Sequence, residues 1–288
     1  MGEWAGRLRL WWQEREHNQL LCVLICGLLV NLAMAPFHGF FGDLQAYVTW
    51  GGIFDRDPLH FYSAAVRAAA LPSNPPAYPP NYPPLTIYLF GLLDAVYLLV
   101  AHLFDPHATL VVAHAPLLAV VVKLPIILAA LAASAIIYRV ARSVRSQRWA
   151  LIATAIYALS PVVLFDGALW GQTDALATLA VVAALLLALD RHPAWSGVLC
   201  GLAIMLKPQP IIFAPLVLVY LWRWKGAKPA LRYLAGLAGA VVGCCLPLLL
   251  PPQPEILVFA HVTTGVIRSA PFASIDAFNL WWLLLIPG

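Results

Sequence analysis

Long apolar runs, broken by prolines, leave this sequence few ways to fold. They lie near residues 19–36, 85–104, 107–122, 125–141, 148–165, 173–190, 195–207, 209–224 and 230–250, with a partial tenth from Asn279. Each approaches the roughly 20 residues that a helix needs to cross a bilayer. In hydrocarbon a chain must satisfy its own backbone polar groups, so such runs are expected to be helices. Pro36, Pro84, Pro106, Pro125, Pro208 and Pro251 punctuate most of their ends, as a residue with fixed φ and no N–H should. Charged residues make up only 10% of the chain, against about a quarter in a soluble domain. The expectation is an all-α polytopic membrane protein with about nine to ten transmembrane helices. Its net charge of +4 then speaks of orientation, not of a nucleic-acid partner.

The apolar stretch from Leu20 to Phe37 follows Arg7, Arg9 and Arg15, is long enough to span, and is followed by no A-x-A-like cleavage site. It reads as a retained first helix. The polar start, with Trp4, Trp11 and Trp12 among charges, suits a helix lying at the interface. Cys22, Cys26, Cys200, Cys244 and Cys245 all sit inside apolar runs without CxxC spacing. They read as packing residues, not as disulfides or zinc ligands.

Charge sets the expected topology. With the N-terminus inside, one long helix over 107–141 would place Arg139, Arg142, Arg145 and Arg148 outside, against the positive-inside rule. Two helices broken at Lys123-Leu124-Pro125 return that run to the cytoplasm, and the two-helix reading is adopted. Of the basic residues, only Arg56, Arg67, Lys123, Lys207 and Arg268 then remain outside. Asp43, Asp55, Asp57, Asp166, Asp174, Glu255 and Asp276 join them. The chemistry-capable residues gather on the outer face.

The chain reads as one transmembrane catalytic module over 1–288, expected to continue because the tenth run has only about eight residues before Gly288, too few to span. The first outer loop, 37–84, is expected to carry short interfacial helices around 43–52 and 58–70 and a Pro-rich run from Pro72 to Pro84. A second outer segment is the turn Phe165–Asp174. The last outer loop, 252–280, holds His261, Arg268, Asp276 and Asn279 among aromatics. Loops of this length in a compact protein are usually functional.

Several residues could carry chemistry. Asp43, just after the first helix, is either a partly desolvated general base or a helix cap. Lys123 in Lys-Leu-Pro and Lys207 in Lys-Pro-Gln could each meet a lipid phosphate as a point charge, or simply snorkel. Trp170-Gly171-Gln172-Thr173-Asp174 combines an aromatic face with hydrogen-bonding groups that suit a sugar; a turn capped by Asp174 is the alternative. Asp55 and Asp57 flank Arg56 and read as local charge compensation. Tyr82, in Asn81-Tyr82-Pro83-Pro84, leads into the second helix. Asp94, inside that helix, is an intramembrane acid without an assigned role.

As a set, these segments resemble the C-type (GT-C) membrane glycosyltransferases. They are most similar to bacterial polyprenyl-phosphate-sugar-dependent mannosyltransferase-like proteins, and more distantly to the dolichol-pathway glucosyltransferases. The matching residues are Gly42-Asp43 with Trp50, Phe61-Tyr62, Tyr82-Pro83-Pro84, Lys123-Leu124-Pro125, Trp170-Gly171-Gln172-Thr173-Asp174, Lys207-Pro208-Gln209 and Pro271–Trp281. The distal helices of that family have no counterpart in this sequence, and Trp170 and Gly171 stand where the eukaryotic relatives carry histidines.

The resemblance implies a hexosyltransferase that moves mannose or glucose from a polyprenyl-phosphate donor to a glycan or lipid-linked acceptor on the outer face, with inversion. Asp43 would be the catalytic base. Lys123, Lys207 and Arg268 would neutralise the donor phosphate. Trp170, Gln172, Asp174, Tyr82 and Gln209 would hold sugar or acceptor. Membrane lipid is the expected surrounding, nucleic acid is not an expected partner, no cofactor is expected, and a divalent metal is possible but not required. The rival reading is a transporter or lipid-linked-saccharide flippase, which the missing internal repeat disfavours.

Overall fold

The computed structural model describes residues 2–72, 79–111, 115–250 and 254–269. Among them every element is helical: α1 (Gly2–Met34), α2 (Phe41–Arg56), α3 (Phe61–Ala69), α4 (Pro84–Ala101), α5 (Pro116–Val144), α6 (Gln147–Ala158) and α7 (Pro161–Val163). A π-helical segment, Leu164–Trp170, leads to α8 (Asp174–Leu189), α9 (Pro193–Leu206), α10 (Phe213–Lys225), α11 (Ala227–Cys245) and α12 (Glu255–Ser269). Two short helices, α2 and α3, stand in the segment where a pair was expected.

Five stretches among the described residues are long and apolar enough to cross a membrane: His17–Met34, Pro84–Ala101, Pro116–Val144, Gln147–Trp170 and Ala227–Leu249. The apolar helices α8 and α9 are shorter. Leu29, Leu128, Ile156, Val162 and Leu216 turn outward from the bundle, which is how an integral membrane protein presents itself to lipid. The run beginning at Asn279 lies outside the described residues.

The bundle has two chemically distinct ends. One gathers the C-terminus of α1, all of α2, the start of α5, the π-helical segment, the start of α8 and the end of α9. Lys123 reaches the carbonyls of Ala35, Phe37 and Leu169 there. The other end gathers the start of α6, where Gln147 bonds Gln19 of α1, and a groove where Arg139 of α5 meets Asp190 after α8. Arg142, Arg145, Arg148, Arg191, Arg223, Lys225 and Lys228 lie at helix ends and turns of this basic end.

The structure corrects the reading of residues 107–141. Instead of two helices broken at Lys123-Leu124-Pro125, α5 runs unbroken from Pro116 to Val144 with Pro125 inside it. A proline is tolerated in such a helix where neighbouring helices meet the freed backbone groups. The charge argument had assumed that α4 crosses to the basic end. Instead, the first turns of α4 touch α9 and α11, through Thr86 to the Leu206 carbonyl and Tyr88 to the Cys244 carbonyl. Its last turns, at Tyr97 and Ala101, share an apolar cluster with Leu118 and Ala119 of α5. The connection from α4 therefore enters α5 at the Asp43 end, and a single α5 delivers the arginine run to the basic end.

Close packing holds the far side of the bundle. α9 and α11 run side by side so tightly that a Cβ on Gly197 would strike the Tyr233 carbonyl, and one on Gly236 the Ala194 carbonyl. Such small-residue contacts suit helices in lipid, where backbone approach replaces hydrophobic collapse. α12 docks separately onto α3. The buried Glu255 carboxylate accepts the Ser63 N–H at 2.9 Å and the Ser63 hydroxyl, and the Phe259 ring packs on Tyr62.

Candidate active site

Asp43 occupies the first turn of α2, whose N-cap is Phe40. The positive end of a helix favours a carboxylate there. Its side chain turns toward the π-helical segment, where one oxygen, Oδ2, accepts two N–H bonds: Trp170 Nε1 at 2.9 Å and Gln172 Nε2 at 2.8 Å. Both donors follow Leu169, and Gly171 between them sits at φ +88°. A side chain at Gly171 would strain the backbone and press on Leu44 and Lys123. The left-handed turn is what lets Trp170 and Gln172 converge on one atom.

Asp43 borders a cavity of about 480 Å³ that is also lined by Phe40, Tyr47, Trp50, Asn81 and Tyr82. Trp170 stacks on Phe40 at 5.0 Å between ring centroids. Tyr47 shares the Asp43 face of α2 one turn on, and its hydroxyl meets that of Tyr82 at 3.2 Å. Burial, then the neighbouring Tyr82, pushes the Tyr47 phenol well above its ordinary range, so it stays protonated. Aromatic walls around one carboxylate suit a ring with apolar faces and hydroxyl edges.

On the other side of Gln172 stands Lys207. Its ammonium donates to Asp174 Oδ2 at 2.7 Å and to Gln172 Oε1 at 3.3 Å, and it lies 6.0 Å from the centre of the Tyr82 ring. Lys207, Asp174 and Gln209 head a groove of about 250 Å³ between α8 and α10. The groove walls are apolar, formed by Val181, Val182, Leu185, Ile212 and Phe213. A cation at the mouth of an apolar slot fits an amphiphile whose head is anionic.

The expected site residues separate on this geometry. Asp43, Trp170, Gln172, Asp174, Tyr82, Lys207 and Gln209 come together. Lys123 does not face a ligand. It is fully buried, and its three protons go to the carbonyls of Ala35 at 3.0 Å, Phe37 at 2.6 Å and Leu169 at 2.9 Å. The expected phosphate contact gives way to a backbone clamp, because the ammonium has no proton left. Arg268 lies on α12 with its side chain outside the described residues, as does the whole Pro271–Trp281 segment. Phe40 and Tyr47 were not singled out from the sequence. Tyr47 was findable, because a residue four after Asp43 shares its helix face. Among the described residues no three His, Cys, Asp or Glu side chains converge as a metal cluster would require.

A family model described as glycosyltransferase family 87 matches residues 81–283. The chain belongs to glycosyltransferase family 87. No curated protein matches it. The matched stretch takes in Tyr82, Lys123, Trp170, Gln172, Asp174, Lys207, Gln209 and Arg268, while Asp43 precedes it. As a family 87 member the chain is a membrane glycosyltransferase, acting with a sugar donor and an acceptor in a lipid setting.

Proposed function

We propose that this glycosyltransferase has a GT-C-like architecture and moves a hexose, mannose or glucose, from a polyprenyl-phosphate donor to a glycan or lipid-linked acceptor, with inversion. The observation that carries this reading is the spacing of two groups. A carboxylate on an aromatic cavity stands one carboxamide away from a lysine at the mouth of an apolar groove. In a single displacement the attacking and leaving oxygens lie on opposite sides of one anomeric carbon. A base and a phosphate-binding cation must then stand about that far apart.

In this mechanism the donor's polyprenyl chain lies in the groove and its phosphate meets Lys207. The acceptor enters the cavity beside Tyr47, Trp50 and Tyr82. Asp43 takes the proton from the acceptor hydroxyl as that oxygen bonds to the anomeric carbon. The carbon–oxygen bond to phosphate breaks, its electron pair stays on the phosphate, and polyprenyl phosphate departs. Lys207 stabilises that charge in a poorly solvated place, where fixed electrostatics are strongest. Arg268 is a second candidate for the same phosphate. Trp170, Asp174 and Gln209 flank the space for the sugar. The positive-inside rule places the basic end in the cytoplasm and the Asp43 end on the outer face.

The test is transfer of radiolabelled sugar in membranes containing this chain, with polyprenyl-phosphate mannose and polyprenyl-phosphate glucose offered separately and crude lipid extract supplying acceptors. One donor should support transfer, and Asp43→Asn at equal expression should reduce it about 10³-fold, within the range for removing a general base. Transfer at the wild-type rate by Asp43→Asn would overturn the assignment of the base.

A further inference from the structure

Gln172 is the residue whose geometry departs most from the role its sequence context suggests. A sugar-binding amide should be open to the ligand space. Gln172 is only 8% exposed, and both ends of its carboxamide are already engaged. Nε2 donates to Asp43 Oδ2 at 2.8 Å, while Oε1 accepts from Tyr82 at 3.1 Å and from Lys207 at 3.3 Å. It lines neither the Asp43 cavity nor the Lys207 groove. It stands between them.

Three consequences follow from these contacts. The amide is oriented unambiguously, because an oxygen must face the lysine and a donor must face the carboxylate. Oδ2 of Asp43 is occupied by Gln172 together with Trp170, which leaves Oδ1 as the oxygen that can receive a proton from the cavity. The cation and the carboxylate are bridged by a neutral carboxamide that bonds to both.

We infer that Gln172 is a positioning residue that fixes Oδ1 of Asp43 toward the acceptor. The inference rests on the proposed roles of Asp43 and Lys207. Its effect belongs in turnover and not in donor binding, because the residue touches the base directly and leaves the groove open. Misplacing a reacting group by about 1 Å costs on the order of 10²-fold in rate.

Steady-state transfer by purified full-length chain, with donor and acceptor varied independently, tests this in Gln172→Met and Gln172→Glu. Gln172→Met removes all three bonds at similar length. Gln172→Glu keeps an acceptor for Tyr82 and Lys207 but places a carboxylate against Asp43, so it serves even if the apolar variant folds poorly. Expected is a fall in kcat of about 10²-fold with the donor KM within about twofold of wild type. Thermal midpoints in detergent, measured beside each rate, keep a loss of folded protein from counting as a loss of turnover. A raised donor KM with unchanged kcat would overturn the inference and return Gln172 to a sugar-contacting role. Wild-type turnover in both variants would also overturn it, and if Asp43→Asn is inactive in the same assay, the base assignment survives that result. Activity in Asp43→Asn would instead point to failure of the proposed function itself.

Discussion

Two lysines beside prolines, Lys123 and Lys207, look alike in the sequence and have opposite surroundings in the fold. Lys123 projects from the interior of α5 toward the ends of α1 and of the π-helical segment, where it meets only backbone carbonyls. Lys207 leaves the end of α9 and meets two side chains at the mouth of a groove. Carbonyls at or just past a helix C-terminus carry partial negative charge, and three of them take all three protons of the Lys123 ammonium. One carboxylate and one amide leave Lys207 with a proton to spare. The difference teaches that the same residue beside the same breaker is a clamp or a ligand according to what faces it.

The largest expected effect separates the two directly. On the proposed mechanism, Lys207→Met should lower kcat/KM for a polyprenyl-phosphate donor by about 10²-fold, chiefly through donor KM, since it removes the cation that would meet the donor phosphate. Lys123→Met should leave donor KM within about twofold and instead cost about 3 kcal/mol of stability, because the ammonium that joins the Ala35, Phe37 and Leu169 carbonyls is lost. Its signature is a lower thermal midpoint in detergent. A rise in donor KM for Lys123→Met would erase the distinction between the lysines.

Arginine sharpens the comparison. Lys207→Arg keeps a charge at a groove that is open on one side and should retain transfer within about fivefold of wild type, since a guanidinium also serves a phosphate. Lys123→Arg must fit a planar fork into a closed space beside Gly171 and Leu44, so its melting should resemble that of Lys123→Met. The smallest effect is expected for Gly171→Ala, which forces a side chain into the left-handed region and costs about 1–2 kcal/mol. Thermal melting checks it, and no loss would mean that the clamp has slack.

The sequence made one part of this site legible and concealed another for identifiable reasons. Asp43, Trp170, Gln172, Asp174 and Lys207 are chemically capable side chains in an apolar chain, and their partners are also side chains. Residue type therefore carried the information. The partners of Lys123 are carbonyls, which every residue has, so nothing in the letters could point to them. The break proposed at Pro125 failed because parity was counted through α4, whose two ends both belong to the Asp43 end of the bundle. Glu255 and Ser63 are 192 residues apart, and no local pattern joins them. The helices themselves were legible because hydropathy is a sum over many residues and tolerates single errors.

The bond between Glu255 and Ser63 has a consequence for the order in which the protein is made. Ser63 belongs to the first turn of α3, whose orphan N–H groups need an acceptor, and the acceptor emerges from the ribosome 192 residues later. At about 5–20 residues per second, α3 waits roughly 10–40 seconds before its carboxylate cap exists. The contact between α3 and α12 therefore cannot form until every other described helix has been made. Until α12 arrives, water must cap the first turn of α3.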